Sequence, residues 1–409
     1  MFAALRRVTF RSPPRGAVCA FHDVTGERLK ETVLSGMEWI CLGDFATIFA
    51  SPLILWRMLR WIGFLDPGFI LFSRKATFVR RLGGRLARIY WLACFDAAGV
   101  RAVVTIKDDS AIFQWLCHRY PRAAFFAIQN GVRTTIDLRL MVRNLTDPRP
   151  TIRMPKFFCF GEHDVRLYRD NGALVEEAIP VGSLLGCYYD RCLPHPRTKD
   201  FDICLVSQWI EGVDSDYYYD EWIRLLQFAA RFVAESGKRL AVAMRGDGAE
   251  EFQFFQGYFA DRATLSPRLS FFASYDLAYR SELTVSVHST MMVELLGLGH
   301  KVLAFNLSGD EGLSVVPAGP WLFDRGGYGE FATRLLDLLA MSEAEFQAVL
   351  AGGGREVMAF PEDEPTHAAI RRRIMAAARP RDRAFDRGKG PVEMLKNARS
   401  SCPSREEPA

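Results

Sequence analysis

A chain of 409 residues is too long for one ordinary hydrophobic core and suits two domains of usual size. Apolar residues make up 49% and charged residues 24%, a globular balance that excludes general disorder. The formal charge of +4 is small and its basic residues are scattered, which argues against nucleic acid as a partner.

The opening "MFAALRRVTFRSPPRG" has four arginines but no apolar stretch with a small-residue cleavage site behind it, so no signal peptide is expected. "GAVCAFHDV" reads as a strand, "GERLKETVLSG" as a helix with a glycine stop, and "EWICLG" as the next strand. Residues 45–72 form the most apolar region. Pro52, Arg57, Arg60, Asp66 and Pro67 interrupt it well short of the roughly 18 unbroken apolar residues a membrane span needs. It reads as a buried helix plus loop in preference to a helix lying on a membrane. The expected location is the cytoplasm, with peripheral contact to the inner membrane as an open alternative.

"ARIYWLACFDAAG" is helical, "RAVVTIKDD" a strand, and "SAIFQWLCHRYP" a helix capped by Ser110. "AAFFAIQNG" and "KFFCFGE" are strands, "HDVRLYRDNG" a helix, and "EEAIPVGS" closes the series. The polar, Pro-containing "RCLPHPRTKD" looks like an interdomain linker. After it come the strand "FDICLVSQW", the long helix "DYYYDEWIRLLQFAARFVAESG" ended by Gly237, the strand "KRLAVAMRGDG" and the helix "EEFQFFQGYF". "RLSFFAS" reads as a strand, "YDLAYRS" as a short helix, "LTVSVHS" as a strand and "TMMVELLGLG" as a helix. "HKVLAFNLSG" is the last strand, followed by the helices "YGEFATRLLDLLA" and "SEAEFQAVLAGG".

Strands that are apolar throughout and alternate with helices form parallel sheets covered on both faces. The expected fold class is therefore α/β: two Rossmann-like domains facing a cleft, at residues 16–190 and 200–378, with a hinge near 186–200. Residues 380–409 are Pro-rich, charged and aperiodic, and read as a disordered tail. The nine cysteines are odd in number and spread singly, which argues for a reducing compartment and against a disulfide framework. Cys187, Cys192 and His195 match no zinc spacing and lack a fourth ligand, so no metal site is expected.

In an open α/β sheet, ligands lie beyond the carboxyl ends of the strands. Those ends carry Asp23, Asp108, Asp109, Asn130, Gly131, Glu162, Ser207, Gln208, Arg245, His288, Ser289 and Thr290. Each also has a structural reading, because Ser, Asp and Asn cap helices there and Gly makes the turn. In "VSVHSTMMVELLGLG" a strand runs into His288 and a helix starts at Ser289 or Thr290, whose free amides suit a phosphate. His288 can donate to a phosphate oxygen, and Glu294 sits one turn on, within reach of ribose hydroxyls. Arg245 offers a fixed cation for a leaving group. The donor-binding set is thus Ser207, Gln208, Arg245, His288, Ser289, Thr290 and Glu294. Asp108, Asp109 and Glu162, with His288, are the catalytic candidates for taking a hydroxyl proton. Asp23, Asn130, Gly131 and Arg133 are the acceptor-binding candidates. No GxGxxG and no Walker-type Gly-Lys-Ser/Thr is present, which lowers the case for redox dinucleotides and ATP hydrolysis.

Five segments, "AFHDVTGERLKETVL", "VVTIKDDSAIFQWL", "AFFAIQNGVR", "FFCFGEHDVRLY" and "AIPVGSLLGCYY", together with "VHST..E.L..G", resemble the bacterial surface carbohydrate biosynthesis proteins. These are glycosyltransferase-B-like (GT-B) proteins related to capsule and lipopolysaccharide transferases, including those that move 3-deoxy-manno-octulosonic acid. The resemblance covers about residues 17–310. It implies a nucleotide-sugar donor bound by the second domain, with CMP-activated acidic sugars as one class, and a glycan or lipid-linked acceptor. "KDD" stands where Asp-Asn is expected, and "HST" where many relatives have His-Pro. The function expected is an inverting, metal-independent glycosyltransferase of surface polysaccharide or lipopolysaccharide synthesis, with no cofactor beyond its substrate. A nucleotide-sugar epimerase of the same fold and a catalytically degenerate scaffold are the alternatives.

Overall fold

The computed structural model of the protein describes residues 7–21, 27–42, 47–62, 75–144, 153–210, 218–361 and 363–379. Asp23 and the tail expected from residue 380 lie outside these residues.

A short strand β1 (Arg7–Thr9) precedes β2 (Val18–Phe21), α1 (Glu27–Glu31) and β3 (Ile40–Leu42). Then come β4 (Thr47–Phe49), α2 (Pro52–Ile62), α3 (Lys75–Ala98), β5 (Ala102–Thr105), α4 (Ala111–Arg119) and β6 (Ala124–Ile128). The first half ends with α5 (Thr135–Asn144), β7 (Arg153–Cys159), α6 (Glu162–Asp170), β8 (Leu174–Pro180) and α7 (Leu184–Cys192). Its six-stranded sheet has the order β3-β2-β5-β6-β7-β8, with every pair parallel. β2 and β5 are buried along their whole length because the sheet is covered on both faces. Trp91, Phe95, Phe113 and Phe125 fill one face, and Leu29, Val33 and Phe158 the other.

The second half runs β9 (Phe201–Val206), α8 (Tyr219–Ser236), β10 (Leu240–Ala243), α9 (Ala249–Phe259), β11 (Ala263–Ser266), α10 (Ala273–Tyr279) and β12 (Ser281–Ser286). It continues with α11 (Thr290–Gly297), β13 (Val302–Phe305), β14 (Leu322–Phe323), α12 (Tyr328–Ala340), α13 (Glu343–Ala351) and α14 (Thr366–Ala378). Its sheet is also six-stranded and parallel, in the order β11-β10-β9-β12-β13-β14. Strand order reverses beside β2 in the first sheet and beside β9 in the second, which marks where a ligand crevice opens. The ends of α4 and α8 follow the residues expected. The Ser110 hydroxyl accepts from the Phe113 amide at 3.3 Å, and Gly237 takes the left-handed conformation at φ 65°.

Four expectations change. The strand placed at "RLSFFAS" is Ala263–Ser266 instead, because Pro267 has no N–H to continue the ladder and the following segment leads into α10. β1 and β4 pair as a separate two-stranded sheet that the apolar patterning did not show. The 45–72 region does not bury its helix. Ile54 is sealed and Met58 and Trp61 pack partly beneath it, while Leu55, Trp56 and Leu59 are 63%, 54% and 65% exposed. α2 packs against α3, which covers only one side of it. The last change concerns α14, expected with the second domain. Ile370 and Ile374 are buried in the first domain's core beside Ala102 and Val104. Arg371 donates to the carbonyls of Thr32 and Val33 at 2.7 and 2.8 Å, and Thr366 to that of Val181 at 2.6 Å. The chain therefore crosses back to close over its own first half.

Candidate functional site

The QNG loop after β6 and the HST turn after β12 lie 158 positions apart in sequence and meet between the two halves. The Val132 amide donates to the Thr290 hydroxyl at 3.1 Å. A Cβ on Gly131 would stand 3.2 Å from both that hydroxyl and the Arg133 guanidinium, so glycine sets how closely the loops approach. Gln129, buried beneath, fixes the first loop. It donates to Asp164 at 2.8 Å and to the Gly131 carbonyl at 3.2 Å, and accepts from the Phe160 amide at 3.0 Å.

Asp108 is 1% exposed, with Arg133 donating to one oxygen at 2.7 Å and Tyr168 to the other at 2.8 Å. Burial pushes its pKa up, against the opposing pull of Arg133. A carboxylate so enclosed holds Arg133 in place and is out of reach of a substrate. Asp109 and Glu162, the latter at the first turn of α6, are exposed. Asp164, which the sequence reading passed over, is buried two residues further on, and burial raises its pKa to about 6.

On the facing side His288 stacks on Tyr218 with ring centroids 5.3 Å apart, and its Nε2 lies 3.4 Å from an Asp137 oxygen on α5. The Asp137 carboxylate in turn accepts from the Thr134 amide and hydroxyl at 2.8 and 2.9 Å, so the carboxylate beside His288 is fixed from the opposite domain. Ser289 occupies the N-cap of α11 without a side-chain capping bond. A pocket opens here, with Tyr218, His288, Phe305, Asn306, Leu313 and Val315 among its walls.

Glu294 lies beneath this turn and is 4% exposed. One oxygen accepts from the Ser183 hydroxyl and the other from Tyr275 at 2.6 Å. Burial raises its pKa. It lines a second pocket between the halves, with Arg28, Ile106, Gln129, Asn130 and Ser183 around it. The Arg28 guanidinium donates to Asn130 Oδ1 at 3.0 Å and lies 5.2 Å from the Phe271 ring centroid.

Ser207 and Gln208 follow β9. The Ser207 hydroxyl donates to the buried Glu251 at 2.6 Å, and Gln208 folds back onto the Ser207 carbonyl at 3.1 Å. Glu251 also accepts from the amides of Arg245 and Gly246 at 2.8 and 2.9 Å, holding the ends of β9 and β10 together. Arg245 points its side chain into solvent and forms no ion pair among the described residues. Arg268, after β11, is half-buried. Burial first, and then the positive charges of Arg28 and Arg245, hold its pKa below the ordinary value. Arg28 and Arg245 are thus within electrostatic reach of Arg268.

The sequence reading missed Arg28, Arg268, Asp137, Asp164, Ser183, Glu251 and Tyr275. Ser183 and Arg268 lie within three residues of strand ends, where the same rule applied one step further would have reached them, and Asp164 lies in the first turn of the helix after β7. Arg28, Asp137 and Tyr275 are helical residues, brought in only by the way the domains face each other.

The chain is similar in fold to several solved structures. A variant of the wall teichoic acid polymerase TagF aligns over 90% of each chain, with a TM-score of 0.51 at 10% identity. The fold is of the GT-B type. The Staphylococcus aureus MnaA–UDP structure aligns over 98% of this chain and 100% of its own, with a TM-score of 0.52 at 10% identity. A "putative UDP-N-acetylglucosamine 2-epimerase" from Listeria monocytogenes aligns over 91% and 95%, with a TM-score of 0.50 at 12% identity. No curated protein matches in sequence. A family model described as "putative O-antigen biosynthesis protein" matches residues 126–314, a span that holds both the QNG and the HST elements of this GT-B cleft.

Proposed function

We propose that the chain is a glycosyltransferase that moves a sugar from a nucleotide-sugar, CMP-activated acidic sugars being the first class to test, onto a surface polysaccharide or lipopolysaccharide precursor. The observation that carries this reading is the meeting of the QNG loop with the α11 N-terminus, where the Val132 amide donates to the Thr290 hydroxyl at 3.1 Å beside the pocket walled by Tyr218 and His288. Arg268, which Arg28 and Arg245 influence electrostatically, adds positive charge that favours an anionic ligand. A nucleotide phosphate there meets the N-terminus of α11, with its nucleoside in the pocket beside Tyr218 and His288.

In this reading the transfer inverts the anomeric centre, and the arginines and His288 hold the leaving phosphate without a metal. Asp137 orients the His288 ring. The acceptor, a glycan or lipid-linked precursor, lies against Asn130 and Arg133. Asp109 and Glu162 are the solvent-open carboxylates on that side for taking its hydroxyl proton, and Asp108 positions Arg133. The reaction needs no cofactor beyond the donor. The experiment is a calorimetric screen of CMP, CDP, UDP, GDP and TDP and their sugars, followed by NMR of each bound donor with and without acceptor glycan. Consumption of donor only with acceptor supports transfer. Conversion without acceptor assigns an epimerase, and no binding at all leaves a scaffold.

A further inference from the structure

We infer that the outer face of α2, with the β1 strand end beside it, is a docking surface for an anionic lipid bilayer. The inference stands apart from the donor chemistry proposed above. Among the described residues, fourteen large apolar side chains are exposed, and seven of them lie between Val8 and Leu86. Such clustering is unlike the single scattered apolar residues of an ordinary surface. Phe10 is 87% exposed, and Leu55, Trp56 and Leu59 project from one side of α2 at helical spacing. β1 pairs with β4, and the Ala50 amide donates to the Thr9 carbonyl at 2.8 Å, which places Phe10 beside the start of α2.

Charge selects the occupant. α2 and α3, which pack together, carry Arg57, Arg60, Lys75, Arg80, Arg81, Arg85 and Arg88 against one acid, Asp96. That acid is enclosed, at 6% exposure, where it accepts from Trp61, Tyr120 and Arg122 and lies 3.7 Å from Arg57. The whole chain carries only +4, so these two helices hold more net positive charge than the protein itself. A protein partner or a second copy needs only the apolar face. Leu and Trp flanked by Arg match the headgroup boundary of an anionic membrane, where Trp sits at the interface and Arg meets lipid phosphate. The Arg60 guanidinium lies 5.2 Å from the Trp56 ring centroid, placing charge and ring on the same side of the helix. α2 has eleven residues, and no described helix is long and apolar enough to cross a membrane, so the contact is one of lying on the surface.

The test is co-sedimentation of the full chain with vesicles of phosphatidylcholine alone and with about 30% phosphatidylglycerol, alongside light scattering of the protein by itself. The expected result is binding to the anionic vesicles, weakened in about 0.5 M salt, and at least about tenfold weaker in Leu55→Glu/Leu59→Glu and in Arg60→Glu. These residues are exposed, so the melting temperature should hold. Leu336→Glu, an exposed apolar position on α12, should bind like the parent. Absence of binding to anionic vesicles overturns the inference, as does equal binding by parent and α2 variants. A parent dimer that the α2 variants split, without any change in vesicle binding, overturns it in favour of a second copy.

Discussion

Replacing Arg268 by Met separates ligand binding from folding in this protein. The side chain is half-buried and sits near two like charges, Arg28 and Arg245, which together with burial depress its pKa. Met keeps the apolar stem and removes the charge. In the empty protein the change relieves a repulsion worth about 0.5 kcal/mol, the scale of a like-charge pair near the surface, so the melting temperature should stay level or rise. With a nucleotide phosphate in the cleft, the same change removes a charge-assisted contact of about 1.5–3 kcal/mol. That corresponds to roughly 10- to 150-fold in Kd. Calorimetric titration with CMP, CDP and UDP on parent and Arg268→Met, with melting curves of the unliganded proteins, reads both quantities. Loss of stability with unchanged nucleotide affinity would refute the reasoning, because it would make Arg268 a structural cation and leave the cleft without its anion.

His288→Ala should lower turnover by about 100-fold while costing little stability, since the ring stacks on Tyr218 at the edge of a pocket and Asp137 keeps its bonds to Thr134. A clear drop in melting temperature with normal turnover would assign a packing role instead. Asp164 titrates with a pKa raised from 3.8 to about 6, so the folded state holds its proton more tightly than the unfolded chain. The stability this contributes is complete below about pH 4 and is lost as pH rises through about 6, some ~3 kcal/mol in all. Asp164→Asn should flatten urea-measured stability across that window, and an unchanged profile would remove Asp164 as its source. Glu251→Gln should cost about 1–3 kcal/mol, because the amide nitrogen it introduces would face the Gly246 or Arg245 N–H. Denaturant melts check this, and nucleotide affinity should fall with it, since Glu251 ties Ser207 to the loop that carries Arg245.

Sequence alone determined the α/β class, the two series of apolar strands and most helix limits, because those follow from local periodicity and from residues such as Ser110 and Gly237 that act on their own chain neighbours. It also singled out the two motifs that meet at the cleft, since the strand-end rule needs only the order of elements. Tertiary structure decided what those residues do. Asp108 reads in sequence like any strand-end acid, but the closure of Arg133 and Tyr168 over it makes it a support. Glu294 is turned to Ser183 and Tyr275, which lie 111 and 19 positions away. Arg28 and Arg268 become one cationic cluster only when the domains face each other. The placement of α14 on the first domain and the exposure of α2 were likewise undecided by pattern. An apolar helix stripe records that something must cover it, and only the packing of the whole chain shows which surface does and which is left bare.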